Sequence, residues 1–156
     1  MTKTLIRHAL PADFHTLLDL DIASFSADVA FSSAELSYFM KRPGAETLVL
    51  EHDGTIVAFL IMEVQRNRRF ATIVTLDVKE DQRRRGHATR LLERSEEILV
   101  SHGVEMYDLQ VDVQNRGAIR FYKRHGFETV RLLRDYYANG NDAWLMVKEL
   151  LRGDGE

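Results

Sequence analysis

The segment from Phe70 to Gly103 constrains the fold most, because it places a long apolar strand, a basic loop and an amphipathic helix in succession. The strand is the run FATIVTLDV (Phe70–Val78), which is rich in the β-branched and aromatic residues typical of strands. The helix is indicated by residues at helical spacing on one face: Ala88, Leu91, Leu92, Ser95, Ile98, Leu99 and His102. Charged residues occupy the other face: Arg90, Glu93, Arg94, Glu96 and Glu97. A strand that leads into such a helix predicts a sheet covered by helices.

Further strand and helix signals alternate along the rest of the chain. Strands are predicted at Thr4–His8, on both sides of the Asp53–Gly54 turn in TLVLEHDGTIVAFLIMEV, and at MYDLQVDV, FETVRLL and AWLMVKEL. Helices are predicted from Pro11, from Ser32 or Ser33 to Pro43, and from Asn115 to Gly126. These elements predict a mixed sheet with helices on both faces, in the α/β or α+β class.

The composition restricts the classes of function. A chain of 156 residues has the usual size of one domain, so we expect a single domain over residues 1–156 with a frayed tail at 152–156. Cysteine is absent, which excludes disulfides, thiolate zinc sites and a cysteine nucleophile. The six histidines lack a metal-binding spacing such as H-E-x-x-H, so no metal is expected. The first residues lack a signal-peptide run and no segment has the length of a membrane span, so we expect a cytoplasmic protein.

Three consecutive arginines, Arg83, Arg84 and Arg85, precede Gly86 in a chain whose net charge is −3. The first N–H groups of a helix have no partner within it, and the helix dipole is positive at that end. Gly86 and Ala88 are small enough for the backbone to approach an anion, and guanidinium groups suit phosphate. The P-loop and dinucleotide patterns, GxxxxGK[ST] and GxGxxG, are absent. The loop is therefore predicted to bind phosphate, and a solvated basic helix start is the alternative.

Together with the segments around it, this loop resembles the GNAT family of N-acetyltransferases. RRRGHA (Arg83–Ala88) is similar to the family motif R/Q-x-x-G-x-G/A, and TLDV before it resembles the family's fourth strand. NRGAIRFYKRHGF (Asn115–Phe127) resembles the segment N-x-x-A-x-x-x-Y-x-x-x-G-F. RDYYANGNDAWLM (Arg134–Met146) resembles the YY…G-x-DA…M segment of ribosomal-protein alanine and related protein N-terminal acetyltransferases. The resemblance implies a mostly antiparallel sheet of about seven strands, split between strands 4 and 5.

The resemblance also implies a position for acetyl-CoA, between the strands Phe70–Val78 and Met106–Val113 and with its pyrophosphate on the arginine loop. The residues expected to contact this cosubstrate are Leu76, Asp77, Val78, Arg83, Arg84, Arg85, Gly86, His87, Ala88, Thr89, Asn115 and Tyr122. Asn115 would hold the pantetheine arm or cap its own helix. Tyr122 would protonate the leaving thiolate, and a core aromatic is the alternative.

At the general-base positions, the sequence departs from the family pattern. The two positions that supply a base in relatives correspond to Thr72 and Gln110, and neither side chain titrates in the useful range. Three explanations stay open: the amine arrives neutral, Asp112 accepts its proton through water, or the protein binds acetyl-CoA with little chemistry. Asp112 has its own alternative as an exposed carboxylate at a strand end.

The resemblance implies an acceptor site as well. Tyr136 and Tyr137 correspond to tyrosines that contact a peptide's first residues, while Phe25 and Phe31 could line the same pocket or simply pack. The first hypothesis is an acetyl-CoA-dependent N-acetyltransferase acting on a protein or peptide N-terminal amine. The alternatives are a small-molecule amine or antibiotic acetyltransferase and a non-catalytic acyl-CoA-binding module. Nucleic-acid binding is a weaker idea in an acidic chain, and a monomer or homodimer is expected.

Overall fold

The computed structural model describes residues 3–25 and 30–150, which form a seven-stranded sheet in the order β1-β2-β3-β4-β5-β7-β6. The strands are β1 (Thr4–His8), β2 (Ala45–His52), β3 (Thr55–Gln65), β4 (Phe70–Val78), β5 (Met106–Asp112), β6 (Glu128–Leu133) and β7 (Ala143–Glu149). The helices are α1 (Phe14–Ser24), α2 (Ser33–Lys41), α3 (His87–Ser101) and α4 (Arg116–Arg124), with short 3-10 turns at Pro11–Asp13, Arg66–Arg68 and Glu80–Gln82. The predicted class and strand number are confirmed, and the expected frayed tail lies outside the described residues.

Local sequence signals account for several of these boundaries. Asp53 and Gly54 both have positive φ angles, 52° and 84°, which is the conformation that a two-residue hairpin turn between β2 and β3 requires. Ser32 caps α2 by accepting from the Glu35 N–H, and the Glu35 side chain accepts from the Ser32 N–H in return. The first helix is preceded by a 3-10 turn that starts at Pro11, so α1 itself begins three residues later than predicted.

Helices cover both faces of the sheet, as predicted. On one face, α3 and α4 pack on a large core that includes Leu91, Leu92 and Tyr122. On the other face, a smaller core contains the buried residues Leu17, Leu20, Leu36, Val49, Phe59 and Ile61 from α1, α2 and the strands beneath them. The assignment of Glu96 to the solvent face of α3 is wrong, because its carboxylate accepts from the Tyr107 hydroxyl and from Lys148 Nζ.

The sheet divides between β4 and β5, which form its one parallel pair among the described strands. Their register is limited to Phe70 with Met106, Ala71 with Tyr107 and Thr72 with Asp108. Beyond these pairs β4 continues alongside β3, and β5 continues alongside β7. The two strands therefore separate toward their C-terminal ends, which confirms the predicted split.

None of the helices within residues 3–25 and 30–150 combines the length and the hydropathy needed to span a bilayer.

Gly44 offers a test of the packing at the start of β2. It has a φ angle of +84°, and a Cβ atom there would lie 2.3 Å from the carbonyl oxygen of Val64. We expect Gly44→Ala to lower the free energy of unfolding by at least about 3 kcal/mol, because backbone strain and a backbone clash add. Gly54→Ala is the matched control, since Gly54 has the same φ and no atom within 4 Å, and should cost only about 1 kcal/mol. Equal losses by chemical denaturation would contradict this account.

Candidate active site

The separation of β4 from β5 opens a cavity of about 640 Å³. Its walls come from these two strands, from α1 and α4, and from the loop between β6 and β7. The cavity brings together predicted site residues that are far apart in sequence: Phe25, Phe31, Leu76, Gln110, Asp112, Asn115, Tyr122, Tyr136 and Tyr137. The split in the sheet is therefore the feature that assembles the candidate site.

The side chains of three predicted cosubstrate contacts point elsewhere. Asp77 is 1% exposed and accepts a hydrogen bond from the Thr75 hydroxyl (2.6 Å). His87 is also buried, and its burial lowers its pKa, with the charge of Arg90 acting in the same direction. Thr89 has its Oγ1 3.1 Å from a ring nitrogen of His125. Any contact between these residues and a cosubstrate would therefore involve their backbone.

The arginine loop connects the end of β4 to the start of α3. Gly86 has a φ angle of +83° and precedes the first residue of α3, where no side chain caps the helix. A Cβ atom at Gly86 would meet only the Arg90 guanidinium, at 3.6 Å, so the approach to the helix N-terminus is open. Arg83 donates from Nε to the Val78 carbonyl oxygen (3.2 Å), while Arg84 and Arg85 are exposed. The loop has the free N–H groups and positive charge that bind an anion.

Tyr122 occupies the floor of the cavity on α4. Its ring packs against Phe121 and Phe127, and the residue is 8% exposed. The hydroxyl makes no hydrogen bond to any residue in the described part of the chain. Burial raises the pKa of Tyr122, and the negative charge of Asp77 raises it further. The hydroxyl therefore stays protonated at neutral pH and can donate to a group that enters the cavity.

The cavity end of β5 is organised by two polar side chains with structural partners. Asn115 Oδ1 accepts from the Ala118 N–H (3.2 Å), so Asn115 caps α4 while lining the cavity. Asp112 accepts through Oδ1 from the Gln114 N–H (2.8 Å) and through Oδ2 from Asn141 Nδ2 (2.9 Å). Both carboxylate oxygens of Asp112 thus have donors, one in the turn after β5 and one in the loop between β6 and β7.

That loop carries the two adjacent tyrosines. The N–H groups of Tyr136 and Tyr137 both donate to the Asn141 carbonyl oxygen, and the two rings meet edge to face at a centroid separation of 5.0 Å. Burial raises the pKa of Tyr137 to about 12, and Tyr136 is 49% exposed. Tyr136 and Tyr137 together form one wall of the cavity, and the Tyr136 ring is accessible to solvent.

The charge of the cavity lining is one-sided. The ionisable carboxylates on its wall are Asp21, Glu63 and Asp112, and within residues 3–25 and 30–150 no lysine, arginine or histidine lines it. Glu63 forms an ion pair with Arg42 (3.0 Å). An acidic and aromatic cavity favours a cation such as an ammonium group over an anion.

Comparison with known proteins identifies the family. A family model described as the acetyltransferase (GNAT) family matches residues 14–127, which is most of the chain. An N-alpha-acetyltransferase from Saccharolobus solfataricus is 40% identical over 122 residues, covering 71% of this chain and 73% of that protein. This chain belongs to the GNAT family. The family resemblance in the sequence is confirmed, and the protein is an N-acetyltransferase.

Solved structures share the fold of this acetyltransferase. The ribosomal-protein alanine N-acetyltransferase of Escherichia coli matches with a TM-score of 0.85 and 24% identity, covering 95% of this chain and 94% of that chain. Arabidopsis thaliana NAA60 in complex with acetyl-CoA matches with a TM-score of 0.80 and 20% identity, covering 95% and 99%. The likeness confirms the predicted GNAT-like sheet. The roles assigned to individual side chains of this acetyltransferase stay predictions.

Two acidic residues, one near the cavity and one on its wall, escaped the sequence analysis. Asp108 lies two residues before Gln110 on β5 and accepts from the Thr72 hydroxyl (2.6 Å), and its burial raises its pKa. The two-residue period of the strand could have indicated it. Asp21 is a buried carboxylate of α1 that lines the cavity. No local signal marks Asp21, because its burial depends on the packing of α1 against β4.

Asp112 has a structural role that can be measured without an activity assay. We expect Asp112→Ala to lower the free energy of unfolding by about 1–3 kcal/mol, because the Gln114 and Asn141 donors lose their acceptor. Amide exchange should also become faster across residues 134–142. Asp81→Ala is the control, since the exposed Asp81 carboxylate has no hydrogen-bond partner in the described part of the chain. Two variants of equal stability would argue against the structural role.

Proposed function

We propose that this acetyltransferase transfers the acetyl group of acetyl-CoA to a primary amine, with the N-terminal α-amine of a protein or peptide as the acceptor. The observation that carries the proposal is the cavity between the separated strands, which combines a protonated Tyr122 with acidic and aromatic walls. The N-alpha-acetyltransferase relative supports an α-amine acceptor. The ribosomal-protein alanine type of acceptor is supported by the shared fold and by the Tyr136–Tyr137 loop.

The residues around the split fit acetyl-CoA. The open approach to Gly86 and the exposed Arg84 and Arg85 suit its pyrophosphate, and the neighbour that carries acetyl-CoA shares this fold. Beyond Thr72, the edge of β4 that faces β5 has no paired strand, so the backbone near Leu76 and Val78 can accept the pantetheine arm as an added strand. Acetyl-CoA supplies the activated acetyl group for the reaction.

The chain's own residues would control two protons in this reaction. The amine must lose a proton to attack, because an ammonium has no lone pair, and an α-amine has a pKa near 8. Tyr122 would donate its proton to the sulfur as the carbon–sulfur bond breaks. The acidic cavity lining would attract the amine in its ammonium form.

Acetyl transfer can be tested by following thiol release. The protein would be mixed with acetyl-CoA and with one of three acceptor classes: peptides with different N-terminal residues, free polyamines, or antibiotic amines. We expect peptides to be the preferred acceptors, with alanine among the best first residues. Preference for a free polyamine or an antibiotic would favour the small-molecule alternative. Binding of acetyl-CoA with no transfer to any acceptor would favour a binding module.

The proposal extends to the domain organisation, location and partners of the protein. We infer a single domain that acts in the cytoplasm as a monomer or homodimer, without membrane or nucleic-acid partners.

Tyr122→Phe tests the proposed acid. The variant removes only the hydroxyl, so the ring can keep its packing against Phe121 and Phe127. We expect kcat to fall about 100-fold with little change in the acetyl-CoA dissociation constant, because a general acid acts in the transition state. Steady-state kinetics and calorimetry would measure the two quantities. An unchanged kcat would remove Tyr122 from this role.

Gly86→Glu tests the anion-binding loop. The new side chain adds bulk and negative charge where the pyrophosphate is proposed to bind, so we expect acetyl-CoA affinity to fall about 10-fold or more. Gly103→Glu is the matched control, because Gly103 has a φ angle of +80° beyond the other end of α3 and no atom within 4 Å. Its backbone strain is similar and its affinity should stay normal. Equal affinities in the two variants would show that the loop is not the phosphate site.

A further inference from the structure

Asp21 of α1 and Asp77 of β4 form a buried carboxyl pair beside the cavity. Each residue is 1% exposed, and the neighbouring Asp21 carboxyl raises the pKa of Asp77. One oxygen of each carboxyl group has its own donor. Asp21 Oδ2 accepts from the Phe31 N–H (2.7 Å), and Asp77 Oδ1 accepts from the Thr75 hydroxyl (2.6 Å). The remaining oxygens, Asp21 Oδ1 and Asp77 Oδ2, are buried and have no hydrogen-bond partner among the described residues. Two neighbouring buried carboxyl groups avoid mutual repulsion when they share one proton.

The other carboxylates near the cavity are already engaged. Both oxygens of Asp112 hold neighbouring donors, and Glu63 forms its ion pair with Arg42. Asp108 accepts from the Thr72 hydroxyl and lies outside the set of residues that line the cavity. Among these carboxylates, Asp21 is the one that lines the cavity while keeping a buried oxygen with no hydrogen-bond partner among the described residues.

We propose that Asp21 accepts the proton of the attacking amine and that Asp77 is a positioning residue that shares a proton with Asp21. This inference rests on the acetyl transfer proposed above. The nitrogen forms a bond to the acetyl carbon and the carbon–sulfur bond breaks. The nitrogen's proton goes to the carboxyl pair, and the Tyr122 proton goes to the sulfur. A proton then returns from the pair to the tyrosine, directly or through water, and the enzyme is restored.

The surroundings of Asp77 favour its protonated form. Burial raises the pKa of Asp77 well above its usual range, and the contact with Asp21 raises it further. The Thr75 hydroxyl and the Arg83 charge act in the opposite direction, and Tyr122 is the titratable group that senses Asp77 from α4. To accept a proton from the amine, the two carboxyl groups must together hold one proton, not two, when the reaction begins. The rate should therefore fall at low pH, where the pair takes up its second proton.

The first experiment separates the enzyme's proton acceptor from the substrate's own ionisation. It compares pH profiles of kcat/KM for an alanine peptide and for the same peptide carrying an N-terminal aminooxyacetyl group, which is uncharged at neutral pH. With the aminooxy peptide, we expect the wild-type protein to keep a loss of rate toward low pH. Asp77→Asn should change the pH of that loss, because the pair can no longer share a proton, and Thr75→Val should move it to higher pH, since the hydroxyl lowers the Asp77 pKa.

Further variants and a spectroscopic measurement complete the test. Asp21→Asn should lower kcat/KM about 100-fold or more at unchanged acetyl-CoA affinity, whereas Asp19→Asn, the same change on the exposed side of α1, should have no effect. Difference infrared spectra should show a carboxylic acid band that titrates with the same midpoint as the rate and is absent from Asp77→Asn. Circular dichroism would check that each variant is folded.

The outcomes distinguish the two proposals. Profiles unchanged by Asp77→Asn and Thr75→Val, or full activity of Asp21→Asn, would overturn the role of the pair and leave acetyl transfer intact. A wild-type protein that transfers acetyl to no acceptor would overturn the proposed function itself. Absence of the carboxylic acid band at every pH would overturn the shared proton, because that measurement needs no substrate.

Discussion

The arrangement of this protein depends on how few backbone hydrogen bonds join β4 to β5. The parallel register ends at Thr72 and Asp108, and each strand then continues with a different antiparallel neighbour. An unpaired strand edge inside a protein must satisfy its N–H and C=O groups elsewhere. A ligand with amide groups of its own, such as a pantetheine arm, meets that requirement. The fold therefore leaves backbone groups unpaired at the split, and a bound cosubstrate would supply their hydrogen-bond partners.

Burial explains why the ionisable groups of the cavity behave unlike their counterparts in water. Burial favours the protonated forms of Tyr122 and Asp77, because each group is more costly to ionise away from water. The acid and the carboxyl pair that we propose for proton transfer can thus lie close together. This proximity is what acetyl transfer needs, because one proton must leave the amine while another reaches the sulfur.

Much of the fold could be predicted from local patterns, while the proton chemistry could not. The strand Phe70–Val78 and the Asp53–Gly54 hairpin were recognisable because residue type, period and turn chemistry agree within a few residues. Tyr122 was identified through a family motif. The Asp21–Asp77 contact was missed because it joins the first helix to a strand more than fifty positions away, and nothing local distinguishes a buried aspartate from an exposed one. Glu96 was placed on the wrong face for a similar reason.

The position of Glu96 has a consequence for the opening itself. Its carboxylate binds the Tyr107 hydroxyl on β5 and Lys148 on β7, while Leu91 and Leu92 of the same helix belong to the core that includes β3 and β4. Helix α3 therefore spans the gap between β4 and β5 and contacts both halves of the sheet. The two halves are thus joined by side chains of the same helix whose N-terminal end follows the arginine loop.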